Sequence, residues 1–280
     1  MDINSSLAGM GLLIAVMLLN SLIEAVIPLH RRSDWGWRHL GPNLLLTLTT
    51  FATGLLLNVL LLLGLVWAHQ VGLGLFNMVA LPSIVATAGA IVVLDLAWYA
   101  THVSMHKVSA LWRFHAVHHS DPQVDVTTTY RQHPGESLIR YAYLAVFALS
   151  AGASPLAFAI YRVWSSLHGQ FEHANIKLPQ WLDTAISWVF SSPNMHKLHH
   201  SSDQRFTDTN YTNIFSIWDR IFGTFTPSRL GTKVNYGLHG MDTAAQQSAA
   251  ALLAGPFRST APLSAQSIPS SASRPAAGAS

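Results

Sequence analysis

The sequence predicts an all-helical integral membrane protein with about three spanning helices, a short helical hairpin and a cytoplasmic helical cap. Half of its 280 residues are hydrophobic and only 10% are charged, whereas about a quarter of the residues in a typical soluble domain are charged. The apolar residues also fall in runs long enough to cross a hydrocarbon core of about 30 Å. We therefore expect transmembrane helices at 1–100, a region carrying clustered histidines at 101–243, and a disordered tail at 244–280.

Three apolar segments make up the predicted transmembrane region. They cover 7–29, 43–68 and 72–100, and we expect the third to be broken at Pro82. The loop between the first two contains Arg31, Arg32 and Arg38, which favours a cytoplasmic position for that loop. Two further crossings return the chain to the same side, so the region that begins after residue 100 is predicted to be cytoplasmic.

A fourth apolar segment, at 138–167, is predicted to form a hairpin. Gly152, Ser154 and Pro155 near its middle are typical of a turn. Its thirty residues are too few for two complete crossings at about 1.5 Å per residue. The hairpin should therefore be short, entering the bilayer and returning. Beyond Thr243 the chain is rich in Ala, Ser, Pro and Gln, a composition that predicts disorder and no chemical role.

Composition also limits the chemistry. The chain has no cysteine, which excludes disulfides, thiolate nucleophiles, iron–sulfur clusters and a haem–thiolate centre. The net charge of +3 comes from scattered residues, so nucleic acid is not an expected partner. Histidine is the unusual component, with fifteen residues that fall mostly in tight groups.

Three of these groups have the spacing of metal ligands on a helix. Residues three or four apart lie next to each other on one helical face, where two or three imidazoles can reach one ion. Eight such side chains exceed the need of one tetrahedral zinc and suit two metal ions with open coordination positions. The isolated His30, His39, His69 and His239 are interpreted as interfacial or hydrogen-bonded residues. The eight predicted ligands are His102, His106, His115, His118, His119, His196, His199 and His200.

These three short histidine motifs are called histidine boxes below. With them, the chain resembles the fatty acid hydroxylase/sterol desaturase superfamily over about Asp95 to Thr226. The order HxxxH, HxxHH, HxxHH is specific, and one departure is Thr212, where that pattern has glycine. The resemblance implies an iron- and oxygen-dependent membrane enzyme that hydroxylates or desaturates a lipid: sterol-like, fatty acyl, carotenoid or alkyl ether. The similar stretches are HKVSALWRFHAVHHS ending at Ser120, TTTYRQHPGE from Thr127 to Glu136, NMHKLHHS from Asn194 to Ser201, and DTNYTNIFSIWDRIFGT ending at Thr224.

The resemblance also implies a ninth ligand, from the segment that contains His168 and His173. Five residues correspond to about 140° around a helix, so both side chains cannot share a face. His173, followed by Asn175, fits the family pattern better, which leaves His168 as a supporting donor or a packing residue.

Four further residues are candidates for supporting or completing the metal shell. Asp95 would accept a proton from the outer nitrogen of a ligand histidine, or would simply pair with an arginine or tyrosine. Glu136 would complete the metal shell, orient a ligand or only begin a helix. Arg131 and His133 belong to the same R-x-H-P-x-E segment as Glu136. No catalytic residue is expected beyond the metal ligands.

The resemblance implies a set of cofactors and partners. These are two iron ions, dioxygen, a lipid substrate, the membrane and a separate electron-donor protein, since the chain lacks a dinucleotide-binding glycine fingerprint. The expected location is a bacterial inner membrane or the endoplasmic reticulum, with the histidine boxes on the cytoplasmic side. The alternative is a histidine-rich membrane metal transporter, or a metal-binding protein without oxygenase activity. A zinc hydrolase is disfavoured because there is no HExxH motif.

Overall fold

The computed structural model describes residues 3–31 and 36–258, which consist of helices and loops with no β-strand. The predicted all-helical class is confirmed for these ranges. Arg32 of the predicted cytoplasmic loop and the tail residues 259–280 lie outside them. The helices are, in chain order, α1 (Ile3–Val26), α2 (Gly36–Gln70), α3 (Leu75–Met78), α4 (Ser83–Lys107), α5 (Ser109–His119), α6 (Pro134–Ala151), α7 (Pro155–His173), α8 (Gln180–Ser187), α9 (Pro193–His199), α10 (Gln204–Thr207), α11 (Ile217–Ile221) and α12 (Ala249–Ala254), with 3₁₀ helices at Val126–Tyr130, Ser228–Lys233 and Gly255–Phe257.

Two of the described segments are long and apolar enough to cross a membrane. They are Gly36–Met78 and Ser83–Lys107, and a shorter apolar helix covers Gly11–Val26. On α2 the leucines at 48, 55 and 63 expose more than half of their surface. Such an apolar surface is suited to contact with lipid, so the structure supports the prediction that the chain is a membrane protein.

The third predicted span begins later than the sequence suggested. Its helix starts at Ser83, directly after Pro82, and not near residue 72. Proline has a fixed φ and no N–H donor, which suits the start of a helix and not its interior. The preceding apolar residues form instead a turn at Gly72, with φ of 69°, and the single-turn helix α3.

Helices α6 and α7 form the predicted hairpin, but it is longer than expected. Gly152 turns the chain with a φ of 71°, and the Ser154 side chain caps α7. The helices contain 18 and 19 residues, or about 27 and 29 Å. A side chain at Gly74 would come within 2.5 Å of the Leu149 carbonyl oxygen, so the tip of the hairpin packs directly against the loop after α2. The apolar run at 138–167 underestimates this length because the polar first turn of α6 and last turn of α7 are buried inside the protein.

Part of the predicted disordered tail is folded. Leu252 on α12 is fully buried against Leu46 and Val117. The Gln247 side chain is also buried, and its amide donates to the carbonyl of Ser120 at 2.8 Å. The prediction of disorder is therefore wrong for 244–258. The prediction relied on the abundance of small residues in this segment. It could not take into account the specific contacts that Gln247 and Leu252 make.

The core lies where α4, α6 and α7 pack together. Leu94 on α4, Leu144 on α6 and Tyr161 on α7 are almost completely buried in one hydrophobic cluster. Near-perfect burial of such side chains fixes the relative positions of helices that carry histidines at their ends. The same packing therefore places the end of α4 and the end of α7 against α5 and α9.

Candidate metal centre

The nine predicted histidines come together in two adjacent groups. Within each group, one ring nitrogen from every histidine lies within 4.8 Å of the corresponding atoms of the others. The five-histidine group contains His102, His106, His115, His119 and His199, and the four-histidine group contains His118, His173, His196 and His200.

The HxxHH spacing divides its residues between the two groups. Consecutive residues on a helix point about 100° apart, so His118 and His119 on α5 enter different groups. The same division separates His199 from His200 at the end of α9. The rings of His119 and His200 stack across the boundary, with centroids 4.5 Å apart and an interplanar angle of 17°. Thus α5 and α9 each supply histidines to both groups, whereas α4 supplies two histidines to the five-histidine group and α7 supplies one to the four-histidine group.

The ring nitrogens of each group converge closely. The Nε2 atoms of His102 and His115 are 3.0 Å apart, and those of His173 and His196 are also 3.0 Å apart. The Nε2 atoms of His119 and His199 are buried without a hydrogen-bond partner. Buried polar atoms normally have partners, and converging nitrogen lone pairs are the arrangement that a metal cation satisfies. The donor set therefore fits metal ions.

The electrostatic environment keeps these imidazoles neutral. Burial holds the pKa of His118 and His119 well below the usual value, and neighbouring histidines lower it further. The pKa values of His199 and His200 are lowered for the same reasons. Since only the neutral ring offers a lone pair to a metal, the site is prepared for coordination at neutral pH.

Backbone carbonyls fix the orientation of three of the rings. The Nδ1–H of His173 donates to the carbonyl of Gly169 at 2.7 Å, and that of His199 to the carbonyl of Thr209 at 2.8 Å. His102 donates from Nδ1 to the carbonyl of Tyr211 at 2.6 Å. A proton held on Nδ1 leaves Nε2 free to face the metal.

Carboxylates contact three other rings. Glu136 Oε1 lies 3.0 Å from His115 Nδ1, so this residue is placed to orient a ligand. Asp208 is 3.4 Å from His106 Nδ1, and Glu172 is 3.6 Å from His196 Nδ1. Sequence reasoning included Glu136 but missed Asp208 and Glu172. Glu172 is the only carboxylate on α7 and stands directly before His173, a signal that could have identified it.

Asp95 does not occupy the predicted position beside a ligand histidine. Its carboxylate accepts hydrogen bonds from the backbone N–H of Phe215 at 3.1 Å and from Trp218 Nε1 at 3.0 Å. It therefore stabilises the loop that follows Tyr211, and the carbonyl of Tyr211 orients His102. Asp95 thus supports a histidine indirectly, through this loop, and not by the direct contact that the sequence suggested.

Thr212, the departure from the family pattern, has a local role. Its hydroxyl donates to Asp219 Oδ2 at 2.6 Å, and its backbone N–H donates to the same oxygen. Asp219 also accepts from the backbone N–H of Tyr211. The threonine thus strengthens the turn that presents the Tyr211 carbonyl.

Arg131 and His133 lie outside both groups. Arg131 is buried and donates from Nε to the carbonyl of Val117 at 3.1 Å and from Nη2 to Gln247 Oε1 at 2.5 Å. His133 caps α6 by accepting from the backbone N–H of Gly135. Both residues connect the segments around the histidines instead of contacting the groups.

His168 and Asn175 are also outside the groups. His168 donates from Nε2 to the carbonyl of Ser191 at 2.9 Å. The Asn175 side chain pairs with the backbone of His30, accepting from its N–H and donating to its carbonyl. As the helical spacing predicted, His168 and His173 do not meet in one group.

A cavity of about 550 Å³ opens next to the histidines. Four of the histidines line this cavity, namely His102, His118, His173 and His196. It extends between α1, α2, α6 and α7, past apolar side chains such as Phe158. A largely apolar cavity beside a few convergent polar groups is typical of a ligand site.

Comparisons with known proteins agree with this geometry. Residues 87–224 match the family model described as fatty acid hydroxylase, and this region of the chain belongs to the fatty acid hydroxylase/sterol desaturase superfamily. It is 32% identical over 157 residues to alkylglycerol monooxygenase of Xenopus tropicalis, covering 53% of this chain and 32% of the relative. It is 29% identical over 150 residues to the ornithine lipid hydroxylase OlsE of Rhizobium tropici, covering 54% of this chain and 44% of the relative.

These similarities have a defined extent. The chain spans about a third of the length of the alkylglycerol monooxygenases, including the human protein, to which it is 30% identical over 157 residues. The search of solved structures gave no significant match. The alternative of a histidine-rich metal transporter finds no support in the family or in these relatives.

Proposed function

We propose that this protein is a membrane-bound, iron-dependent oxygenase that hydroxylates a carbon–hydrogen bond of a lipid. The observation that carries the proposal is that histidines from both groups line one largely apolar cavity. The names of the relatives, a monooxygenase and a lipid hydroxylase, favour hydroxylation over desaturation. Dioxygen is the expected second substrate.

Each histidine group would hold one iron ion, giving two per chain. Neutral imidazoles bind Fe(II) and leave coordination positions open. When bound, iron supplies the oxidising chemistry that reacts with unactivated carbon–hydrogen bonds. The protein supplies the orientation of the rings: Glu136 and the backbone carbonyl of Gly169 hold the outer nitrogens of His115 and His173, which would leave the inner nitrogens free to bind the ions.

The cavity would hold the substrate chain. The cavity lining is mostly apolar, with residues such as Leu55, Val59 and Phe158, and would favour a hydrocarbon segment. The electrons that the reaction needs would come from a separate donor protein, since the sequence contains no dinucleotide-binding fingerprint.

The histidine groups would lie on the cytoplasmic side of a bacterial inner membrane or of the endoplasmic reticulum. Arg31 and Arg38 flank the loop between α1 and α2, and the positive-inside tendency places such a loop in the cytoplasm.

The proposal is tested by comparing the lipids of cells that express the wild type with those that express a His118→Ala/His199→Ala double variant. We expect a lipid that is heavier by 16 mass units in the wild type alone, and by 18 units under ¹⁸O₂. A loss of two units would indicate desaturation. Purified protein that contains only zinc, together with unchanged lipids, would contradict the proposal.

A further inference from the structure

The cavity contains a charged residue that the metal centre does not use. Arg162 on α7 lines the cavity, and its guanidinium lies 5.3 Å from the centroid of the Tyr141 ring. The Nε atom of Arg162 is buried and has no hydrogen-bond partner. An ionisable group within an apolar helical bundle is costly and usually marks a functional position.

Arg162 and His173 lie on the same face of α7. They are eleven residues apart, which is about 20° from three complete turns, so their separation along the helix axis is about 16 Å. Ser166 and Gly169 lie between them on that face, and all four residues line the cavity. These four residues form a stripe along α7. The stripe runs from the cationic Arg162 at one end to His173 of the four-histidine group at the other.

The part of the cavity wall that α2 forms adds an unpaired acceptor. Asn58 on α2 lines the cavity, and its Oδ1 atom is buried without a hydrogen-bond partner. Among the described residues that line the cavity, the only carboxylate is Glu172, which is ten positions from Arg162, or about 15 Å along the helix. It is too distant to neutralise the guanidinium. The Tyr141 hydroxyl donates to the carbonyl of Gly54, one helical turn before Asn58, and the ring of Tyr141 lies beside Arg162. The cavity lining thus offers both a cationic donor and an acceptor to a ligand.

We propose that Arg162 binds the anionic head group of a single-chain lipid, a carboxylate or a phosphate monoester, whose hydrocarbon chain extends along the stripe to the four-histidine group. The guanidinium fits both anions because its N–H groups match two oxygens of either one. The monoanionic form of a phosphate monoester keeps one O–H, which would in addition donate to Asn58 Oδ1. This inference rests on the proposed lipid oxygenase function and specifies its substrate class.

The length of the stripe sets the position of oxidation. An extended backbone advances about 3.6 Å per residue of three bonds, or about 1.2 Å per bond. The distance of about 16 Å then corresponds to roughly a dozen bonds between the head group and the carbon beside the histidines. The oxidised carbon should lie far from the head group, in the distal half of a sixteen-carbon chain.

The proposal can be tested without turnover by equilibrium binding to the iron-loaded protein in nanodiscs. The ligands are radiolabelled hexadecanoate, hexadecyl phosphate and hexadecanol. The wild type should bind at least one of the two anions about tenfold or more tightly than hexadecanol, as expected for charge-assisted hydrogen bonds. Arg162→Gln should lose that preference while its affinity for hexadecanol and its iron content stay unchanged. Arg162→Lys should keep part of the preference, and Arg229→Gln, at an exposed arginine, should keep all of it.

Equal binding of all three ligands by the wild type would overturn the proposal. So would an Arg162→Gln variant that weakens all three equally or loses iron, since that pattern indicates a packing role. Mass-spectrometric fragmentation of any product gives an independent readout, and oxidation next to the head group would also contradict it. A binding preference without any oxidation would contradict only the proposed function. Oxidation without a preference would contradict only this inference.

Discussion

The Nε2 atoms of His118 and His173 lie 3.1 Å apart, although 55 positions separate the two residues in the chain. His118 is on α5, and His173 is the last residue of α7, at the returning end of the hairpin. The contact exists because α6 leaves the histidine region and α7 brings the chain back to it. The hairpin therefore brings His173 into the four-histidine group.

Loss of a histidine from one group should remove the metal of that group. We expect His118→Ala and His199→Ala each to lower the iron content to about half, and the double variant to contain almost none, because each residue supplies a nitrogen to a different group. Elemental analysis of the purified proteins measures this. His239→Ala, at an exposed position outside both groups, is the control. A double variant that retains full iron would contradict the assignment of these ligands.

The histidine constellation could be predicted because helical spacing is a local property. The i, i+3, i+4 pattern specifies which imidazoles are neighbours on α5 and α9 without any knowledge of tertiary structure. The positions of Asp208 and Asp95 could not be predicted in the same way. Their partners, His106 and the 214–218 loop, are brought to them by the packing of α4 against distant segments.

Removal of the Glu136 carboxylate should weaken metal binding without removing a ligand. In Glu136→Ala the outer nitrogen of His115 loses its acceptor, and outer partners of this kind typically contribute about 10–100-fold to metal affinity. Glu136→Gln should have a smaller effect because its carbonyl oxygen can still accept from His115. The rate of iron transfer to a chelator measures the difference, with Asp242→Asn as an exposed control. Equal rates for Glu136→Ala and the wild type would show that the contact does not support the metal.

The fold was predictable where long apolar runs dominate, and less so where single contacts decide. The α2 span and the turn at Gly152 follow from composition and turn chemistry. The packed segment after Thr243 does not, because its order depends on Gln247 and Leu252 reaching partners far away in the sequence. A composition rich in alanine and serine cannot report such contacts.

Truncation should distinguish the packed part of the tail from the rest. Ending the chain after Arg258 should leave stability and iron content unchanged, whereas ending it after Thr243 should lower both. The shorter chain loses Gln247, which contacts the buried Arg131, and Leu252, which fills a hydrophobic cluster.

Leu252→Ala alone should cost about 2–5 kcal/mol of unfolding free energy, seen as a lower midpoint of thermal unfolding. Leu230→Ala, at an exposed leucine, should have little effect. Full stability after truncation at Thr243 would contradict the observed packing.

The metal-free protein should lose stability as the pH falls below about 6.5. The pKa values of His118, His119, His199 and His200 are lowered in the folded state by burial, so the unfolded chain binds protons first. Stability is then complete above the unfolded pKa of about 6.5 and declines on acidification by up to about 1.4 kcal/mol per pH unit for each histidine. Thermal unfolding of chelator-treated protein between pH 7.5 and 5.5 measures the decline. His199→Gln should make the decline shallower, and a midpoint independent of pH would contradict the burial of neutral rings.

Cysteine labelling tests the membrane arrangement, since the native chain contains no cysteine. Ser109 at the start of α5 and Arg205 on α10 are exposed near the two histidine-bearing helices α5 and α9, whereas Val71 is exposed just beyond the other end of α2. Cysteines at Ser109 and Arg205 should react with an impermeant thiol reagent only after the cytoplasmic face is opened. Cysteine at Val71 should react from the opposite face, because α2 is about 52 Å long at 1.5 Å per residue, which exceeds the hydrocarbon thickness of about 30 Å. If the first two positions react from opposite faces, the histidine boxes cannot form one centre. If Val71 and Ser109 react from the same face, then α2 does not cross the membrane and the proposed orientation is wrong.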